Sequence, residues 1–202
     1  LESERLDGVV ASQPFTRHVF LLPEIYKRVR NLFTEKALAV TVPGGESLVA
    51  AAKAAGCAHM VGYHKRSDPA VVYARQVIEE WRASKRFGAL RYIRILMPPG
   101  DWTANGCAGL LDGGDRDLRP TSGSEEPDPE FDEAQNKRLV SFVNFYIHQV
   151  NLMRHLLGEP YEVSFVDPSG VLMAVRSASG IAGTLELGPY RTSHAWEESA
   201  LV

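Results

Sequence analysis

Four polar residues run along one face of the most apolar stretch of this chain. Residues 139–157 read LVSFVNFYIHQVNLMRHLL, with Asn144, His148, Asn151 and His155 spaced four, three and four apart. A helix puts that spacing on a single face. The remaining residues are mostly Phe, Val, Ile, Leu, Met and Tyr, so the helix is expected to be largely buried. Buried polar side chains are costly unless something satisfies them. The stripe therefore implies either an internal hydrogen-bond network or a ligand. His148 is its strongest member, because imidazole exchanges a proton near neutral pH. Asn144 and Asn151 can hydrogen-bond but cannot act as bases. His148 and His155, with no carboxylate on their face, make a poor metal set. No nucleophile-elbow motif supports Ser-His-Asp chemistry. Periodicity alone leaves a satisfied core histidine and a catalytic histidine both open.

Two further clusters could carry chemistry. Residues 34–39 read TEKALA and close a predicted strand. Open α/β sheets bind ligands beyond the carboxyl ends of their strands, where Lys36 could hold a substrate hydroxyl. A solvated turn lysine fits the same spacing. Tyr63, His64, Lys65 and Arg66 sit at a strand-to-helix junction and read either as pocket lining or as an exposed basic turn.

These residues need elements to position them. The 202 residues suffice for one large or two small domains, and 45% hydrophobic with 23% charged residues is a globular composition. A formal charge of −3 provides no attraction for nucleic acid or an anionic membrane. No apolar run approaches a membrane span. The acidic-then-apolar start, LESERLDGVVAS, is unlike a secretory leader. Cys57 and Cys107 form no CxxC pair and suit free thiols in a reducing, cytoplasmic setting. The start at Leu1 and the strand-like ending SALV suggest a piece of a longer protein.

Residues 6–12 read as a buried parallel strand. A helix is predicted over about 16–30, with Phe20, Leu21, Ile25 and Val29 in phase. A second strand covers 32–36, a helix 46–55 closes at Gly56, and a strand covers 59–63. This alternation predicts a parallel α/β layer. Asp68–Pro69 starts a helix running to about residue 85 with Val71, Ala74, Val77, Ile78 and Trp81 on one face. Residues 89–97 read as an antiparallel strand turning Leu90, Ile93 and Leu96 inward. The stretch 98–132 is too long for an ordinary connection, and reads as a surface loop or a lid. Strands at 161–166, 171–177 and 181–187 form an antiparallel meander. The expected fold class is α/β: a partial α/β unit over residues 1–64, then an α+β domain over 65–202 built on an open antiparallel sheet.

Taken together, the motifs resemble the Gfo/Idh/MocA family of sugar and cyclitol oxidoreductases. DGVVASQPFTRH looks like its strand-to-loop segment, and TEKALAVT like its Glu-Lys-Pro motif with Ala37 in place of proline. VGYHKRSDPA is similar to its Gly-aromatic-x-Arg-Arg-x-x-Pro segment. NFYIHQVNLMRHLLGEP is similar to its Asp-x-x-x-His-x-x-Asp helix followed by Gly-x-Pro. The resemblance spans nearly the whole chain. It implies a partial Rossmann unit over residues 1–64, an α+β domain over 65–202 with a large, mostly antiparallel open sheet, and hydride transfer between NAD or NADP and a sugar or polyol carbon.

The resemblance also implies roles. Lys36 would lie near the nicotinamide and the reacting hydroxyl, with Glu35 beside the cofactor. His148 would exchange the hydroxyl proton, with Asn144 where many members carry a supporting aspartate. Tyr63 and Arg66 would line the substrate pocket, and Gln13, Pro14 and His18 the loop beside the cofactor. Asn151 becomes a structural partner of the helix, and His155 a packing or surface residue. The sheet would pair between subunits through Ile181 and Leu185, making a homo-oligomer. No metal is implied.

The departures shape the expectation. No Gly-x-Gly-x-x-Gly turn occurs, so the phosphate-cradling turn is expected upstream of Leu1 and this piece is expected to be inactive alone. Both helix carboxylates are amides here. A non-catalytic binding or scaffold protein that keeps the fold is the alternative.

Overall fold

A computed structural model describes residues 6–97, 123–126, 129–187 and 198–202. The chain forms two compact units, Leu1–Tyr63 with Arg116–Ile147, and His64–Asp115 with His148–Val202. Among these, the expected long segment 98–132 is described only at 123–126 and 129–132, and Cys107 lies outside the described residues.

The first unit is built on three parallel strands, β1 (Val9–Ala11), β2 (Asn31–Glu35) and β3 (Ala58–Gly62), in that spatial order. Helix α1 (His18–Tyr26) follows a 3-10 turn at Phe15–Arg17, and α2 (Val42–Ala55) links β2 to β3. Local chemistry explains both ends of α2. The Thr41 hydroxyl accepts the Gly44 N–H at 3.1 Å, and a proline occupies the first turn. Gly56 closes the helix in the left-handed region at φ 62°, which glycine adopts without steric cost. The helix starts four residues before its predicted start, because Gly44 and Gly45 hide its first turn from a propensity reading.

The predicted phase of α1 needs correction. His18, Leu22 and Tyr26, four residues apart, are its buried face, and Phe20 is exposed. Leu22 and Tyr26 pack with Leu32, Leu48 and Ala52 into one core. A bulky histidine and tyrosine at core positions concealed this face from a count of aliphatic residues. Segment 133–147 joins this unit by packing Val143 against Phe15 and Ala37.

Among the described residues, only one face of the parallel sheet is covered. Val10, Phe33 and Met60 pair in register across β1, β2 and β3 and are all exposed, Val10 by 75% and Met60 by 62%.

The second unit carries α3 (Pro69–Ser84), the C-terminal part of α4 (Glu133–Leu157), and a five-stranded mixed sheet. Its strands are β4 (Tyr92–Leu96), β5 (Tyr161–Val166), β6 (Leu172–Ser177), β7 (Ala182–Glu186) and β8 (Ser199–Leu201), in spatial order β5-β6-β7-β4-β8. Asp68 caps α3 by accepting the Ala70 N–H at 2.8 Å. The meander β5-β6-β7 is antiparallel as predicted. β4 differs from its reading: it pairs parallel with β7 and antiparallel with β8. Its inward residues are Ile93, Ile95 and Met97, at the strand period of two, whereas Leu96 points away.

The core of this unit joins Ile78, Ile93, Ile95, Met153, Leu156 and Leu185. Each such side chain stabilises the fold by about 1.5–3 kcal/mol relative to exposure. Ile181 and Leu185 belong to this core, so the expectation that they face another subunit is overturned. The alternation of β7 sends Leu185 inward and Thr184 and Glu186 to the opposite face.

Candidate functional site

The first unit places Lys36 directly after β2, at the carboxyl edge of the parallel sheet. The Lys36–Ala37 peptide is cis. The Lys36 backbone N–H donates to Glu35 Oε2 at 3.1 Å. The Lys36 ammonium donates to the backbone carbonyl of Asn144 and lies 3.4 Å from Asn144 Oδ1. Burial pushes the Lys36 amine below its ordinary value, with the Glu35 carboxylate partly opposing. The structure thus brings Lys36 and Asn144 together.

The loop after Lys36 is held from two sides. His18 is completely buried and its Nδ1 lies 3.0 Å from the Leu38 carbonyl. A carbonyl only accepts, so Nδ1 carries a proton, and Nε2 has no hydrogen-bond partner among the described residues. Glu125 accepts the N–H groups of Val40 and Thr41 at 2.7 and 2.8 Å and the Thr41 hydroxyl at 2.5 Å. Gln13 and Pro14 are exposed in the turn after β1. Tyr63 is half-buried immediately after β3.

A buried polar network beneath this loop was missed in the sequence. His59 on β3 sits between two hydroxyls, with Tyr26 Oη 2.8 Å from Nδ1 and Thr34 Oγ1 2.9 Å from Nε2. Burial, then the neighbouring His18, pushes the His59 imidazole below its ordinary value, and burial pushes the Tyr26 phenol up to about 12. These residues come from one helix and two strands, and no local spacing marks them.

The second unit places His148 against His64, in the 3-10 turn His64–Ser67. The two rings meet edge to face with centroids 4.4 Å apart. Lys65 and Gln149, the next residue along each element, both bond Glu198. Lys65 forms an ion pair with it, and Gln149 Nε2 donates to Oε1 at 2.8 Å. Arg66 Nε donates to Asn151 Oδ1 at 2.7 Å. His155 is half-buried, and its imidazole is pushed below the ordinary value by burial, then by Arg66 and Arg75.

The stripe therefore divides. Asn144 is exposed, while His148, Asn151 and His155 are half-buried. The fully buried polar residue of α4 is Gln149, one position off the stripe. Its signal was present as an amide within an apolar run, but helical phase alone pointed elsewhere. Among the described residues, no group of three or more His, Cys, Asp or Glu side chains could hold a metal ion. Among them too, no helix is long and apolar enough to cross a membrane.

The backbone arrangement has close parallels among solved structures. It superposes on a putative myo-inositol dehydrogenase from Sinorhizobium meliloti 1021 with a TM-score of 0.65, 15% identity, and 96% of this chain against 54% of that one. For myo-inositol dehydrogenase from Lactobacillus casei in complex with NAD(H) and myo-inositol the TM-score is 0.66, with 14% identity and 96% against 51% coverage. The fold is that of a Rossmann-type dehydrogenase. The WlbA dehydrogenase from Bordetella pertussis, in complex with NADH and UDP-GlcNAcA, aligns at TM-score 0.61 and 17% identity, over 96% of this chain and 55% of that one. The chain thus spans about half the length of the dehydrogenases whose fold it shares. No family model matches the chain, and no match to a curated protein is significant.

Proposed function

We propose that this chain is the catalytic part of an NAD(P)-dependent oxidoreductase acting on a sugar or cyclitol. The observation that carries the reading is Lys36 at the carboxyl edge of the parallel sheet, hydrogen-bonded to Asn144 one helical turn before His148. Ligands of open α/β folds bind at that edge.

The residues present suit the nicotinamide end of a dinucleotide. Gln13 and Pro14 follow β1, Glu35 ends β2 and Lys36 follows it, so the exposed Gln13 and Glu35 and the half-buried Lys36 would lie at the edge where the nicotinamide would rest. When bound, the nicotinamide would take up or return the hydride. Lys36 would orient and polarise the reacting oxygen, and His148 would take its proton as general base. Asn144 would hold the Lys36 ammonium in place without carrying a proton. Tyr63 and Arg66 would border the substrate, with Arg66 aligned by Asn151. His18 would serve from beneath, fixing the Leu38 carbonyl and with it the loop that presents Lys36.

The pyrophosphate end has no Gly-rich turn in this sequence. We propose that a further α/β segment supplies it and covers the bare face formed by Val10, Phe33 and Met60. Parallel sheets are normally covered on both faces, and the chain matches only half of the dehydrogenases that share its fold. The outer face of the second sheet, with Phe165 and Tyr92 exposed, would serve self-association.

The test is nicotinamide reduction by the natural protein at its full genomic length, with NAD and NADP against a panel of cyclitols, sugars and sugar acids. Turnover that drops by about 10²–10⁴ in His148→Ala supports the reading. Undiminished turnover in His148→Ala and Lys36→Ala removes the mechanism. Absence of both turnover and nucleotide binding favours a scaffold that keeps the fold, the reading that the two amides Asn144 and Asn151 motivate.

A further inference from the structure

We infer that the second unit holds a binding site for a small aromatic carboxylate, formed between the end of α3 and the sheet edge of β4 and β8. The inference goes beyond the hydride-transfer reading and does not rest on it. A cavity of about 370 Å³ opens there. Its apolar walls include Ile78, Trp81, Phe87 and Leu201, and its charged residues are Arg82 and Arg91. Small-molecule pockets have this volume and this make-up, mostly apolar with a few placed polar groups.

The aromatic wall is held in place. Phe87 meets Trp81 edge to face, with centroids 5.3 Å apart at 71°. The Arg86 guanidinium lies over the Phe87 ring, 5.1 Å from its centroid. The turn that folds Phe87 back onto α3 takes Lys85 through the left-handed region at φ 54°, where a side chain is disfavoured, and Gly88 at φ 80°. Phe87 nevertheless stays 63% exposed and Trp81 38% exposed, so the two rings present apolar surface beside the cavity. Arg82 is fixed as well, because its Nη2 donates to the Leu157 carbonyl at 2.7 Å. A guanidinium carries five N–H groups, so others are left for a ligand.

Charge selects the class of ligand. Residues 81–92 carry Arg82, Lys85, Arg86 and Arg91 and no acid. The Arg91 side chain makes no hydrogen bond or ion pair among the described residues. Glu159 feels the charge of Arg82, but its carboxylate accepts from Ser179 and does not line the cavity. A carboxylate suits guanidinium groups, which bind it through paired N–H donors. A flat ring suits Trp81 and Phe87, which favour offset and edge-to-face partners. A compact molecule that joins the two meets both halves of the site, and a cation would be repelled.

The probe is naphthalene-2-carboxylate, titrated into the natural protein at its full genomic length. Calorimetry reads the affinity and amide NMR shifts read the place. A Kd below about 1 mM is expected, with the largest shifts among the amides of residues 81–92. The neutral 2-naphthamide is expected to bind about tenfold more weakly or worse, and acetate to leave those amides unshifted. Arg91→Gln and Phe87→Ala, both at exposed positions, are each expected to weaken binding about tenfold. Amides of residues 81–92 that stay unshifted at millimolar probe overturn the site, as they would if another part of the full-length chain filled the cavity. Equal affinity for the carboxylate and the amide also overturns it, a comparison that requires no variant to fold. So does unchanged binding in both variants. Failure of this site leaves the roles of Lys36 and His148 in turnover standing, because turnover is measured without the probe.

Discussion

The ammonium of Lys36 donates to the backbone carbonyl of Asn144, 108 residues further along the chain. A strand end and a helix that are remote in sequence are thereby joined at one polar contact. The contact compensates part of the cost of burying the lysine, whose amine is pushed below its ordinary value by burial.

Lys36→Met separates function from stability. The charged lysine is disfavoured in the folded state, and that cost is fully present at neutral pH. It declines only as the pH rises through the lowered value toward the ordinary 10.5. Methionine keeps most of the stem and removes the charge. The urea midpoint is expected to stay level or rise, while turnover of the full-length protein falls by about 10² or more. A lower midpoint with turnover preserved would show that Lys36 is structural.

Acid is expected to loosen the first unit through His59. Its folded value lies below the ordinary 6.5, so between the two the unfolded chain binds more protons. Stability from this group is therefore full above 6.5 and is lost as pH falls toward the lowered value. His59→Asn is expected to flatten the dependence of the urea midpoint between about pH 7 and 5. His155, lowered in the second unit, retains its own contribution. An unaltered slope in the variant would refute the assignment.

Gly183 on β7 permits the close approach of α4 to the sheet. A Cβ there would lie 2.8 Å from Met153 Cε and 2.9 Å from Val175 Cγ2. Gly183→Ala is expected to cost about 1–3 kcal/mol in chemical denaturation, and Gly183→Leu to prevent the second unit from packing. Full stability in the leucine variant would contradict this.

Glu125 pins the loop after Lys36 through three hydrogen bonds to Val40 and Thr41. Glu125→Ala leaves those donors without the carboxylate and is expected to cost about 1.5–3 kcal/mol. Amide exchange at Val40 and Thr41 should accelerate first, because the loss is local.

Self-association through the outer face of the second sheet is testable at Phe165, which is 52% exposed and pairs with Ala174. Sedimentation at micromolar concentration is expected to show a dimer that Phe165→Glu dissociates. A monomer in the wild type would count against the interface.

The sequence by itself determined the elements whose signals are local. Gly56 and Asp68 cap their helices through bonds to nearby backbone, and the meander follows from alternation between turns. Lys36 was legible as a candidate because a strand end can be read from its own residues. Tertiary structure alone decided that β4 runs parallel to β7, since strand pairing depends on which distant edge is free. It also decided the faces. His18 and Tyr26 are core residues and Ile181 and Leu185 point inward, because burial depends on what packs opposite. His64 became the neighbour of His148, and Gln149 the buried amide of α4, only through Glu198 and the turn that carries Lys65. Hydrogen bonds between side chains distant in sequence leave no period to read. The sequence supplied candidate proton carriers, and three-dimensional contact selected which of them meet.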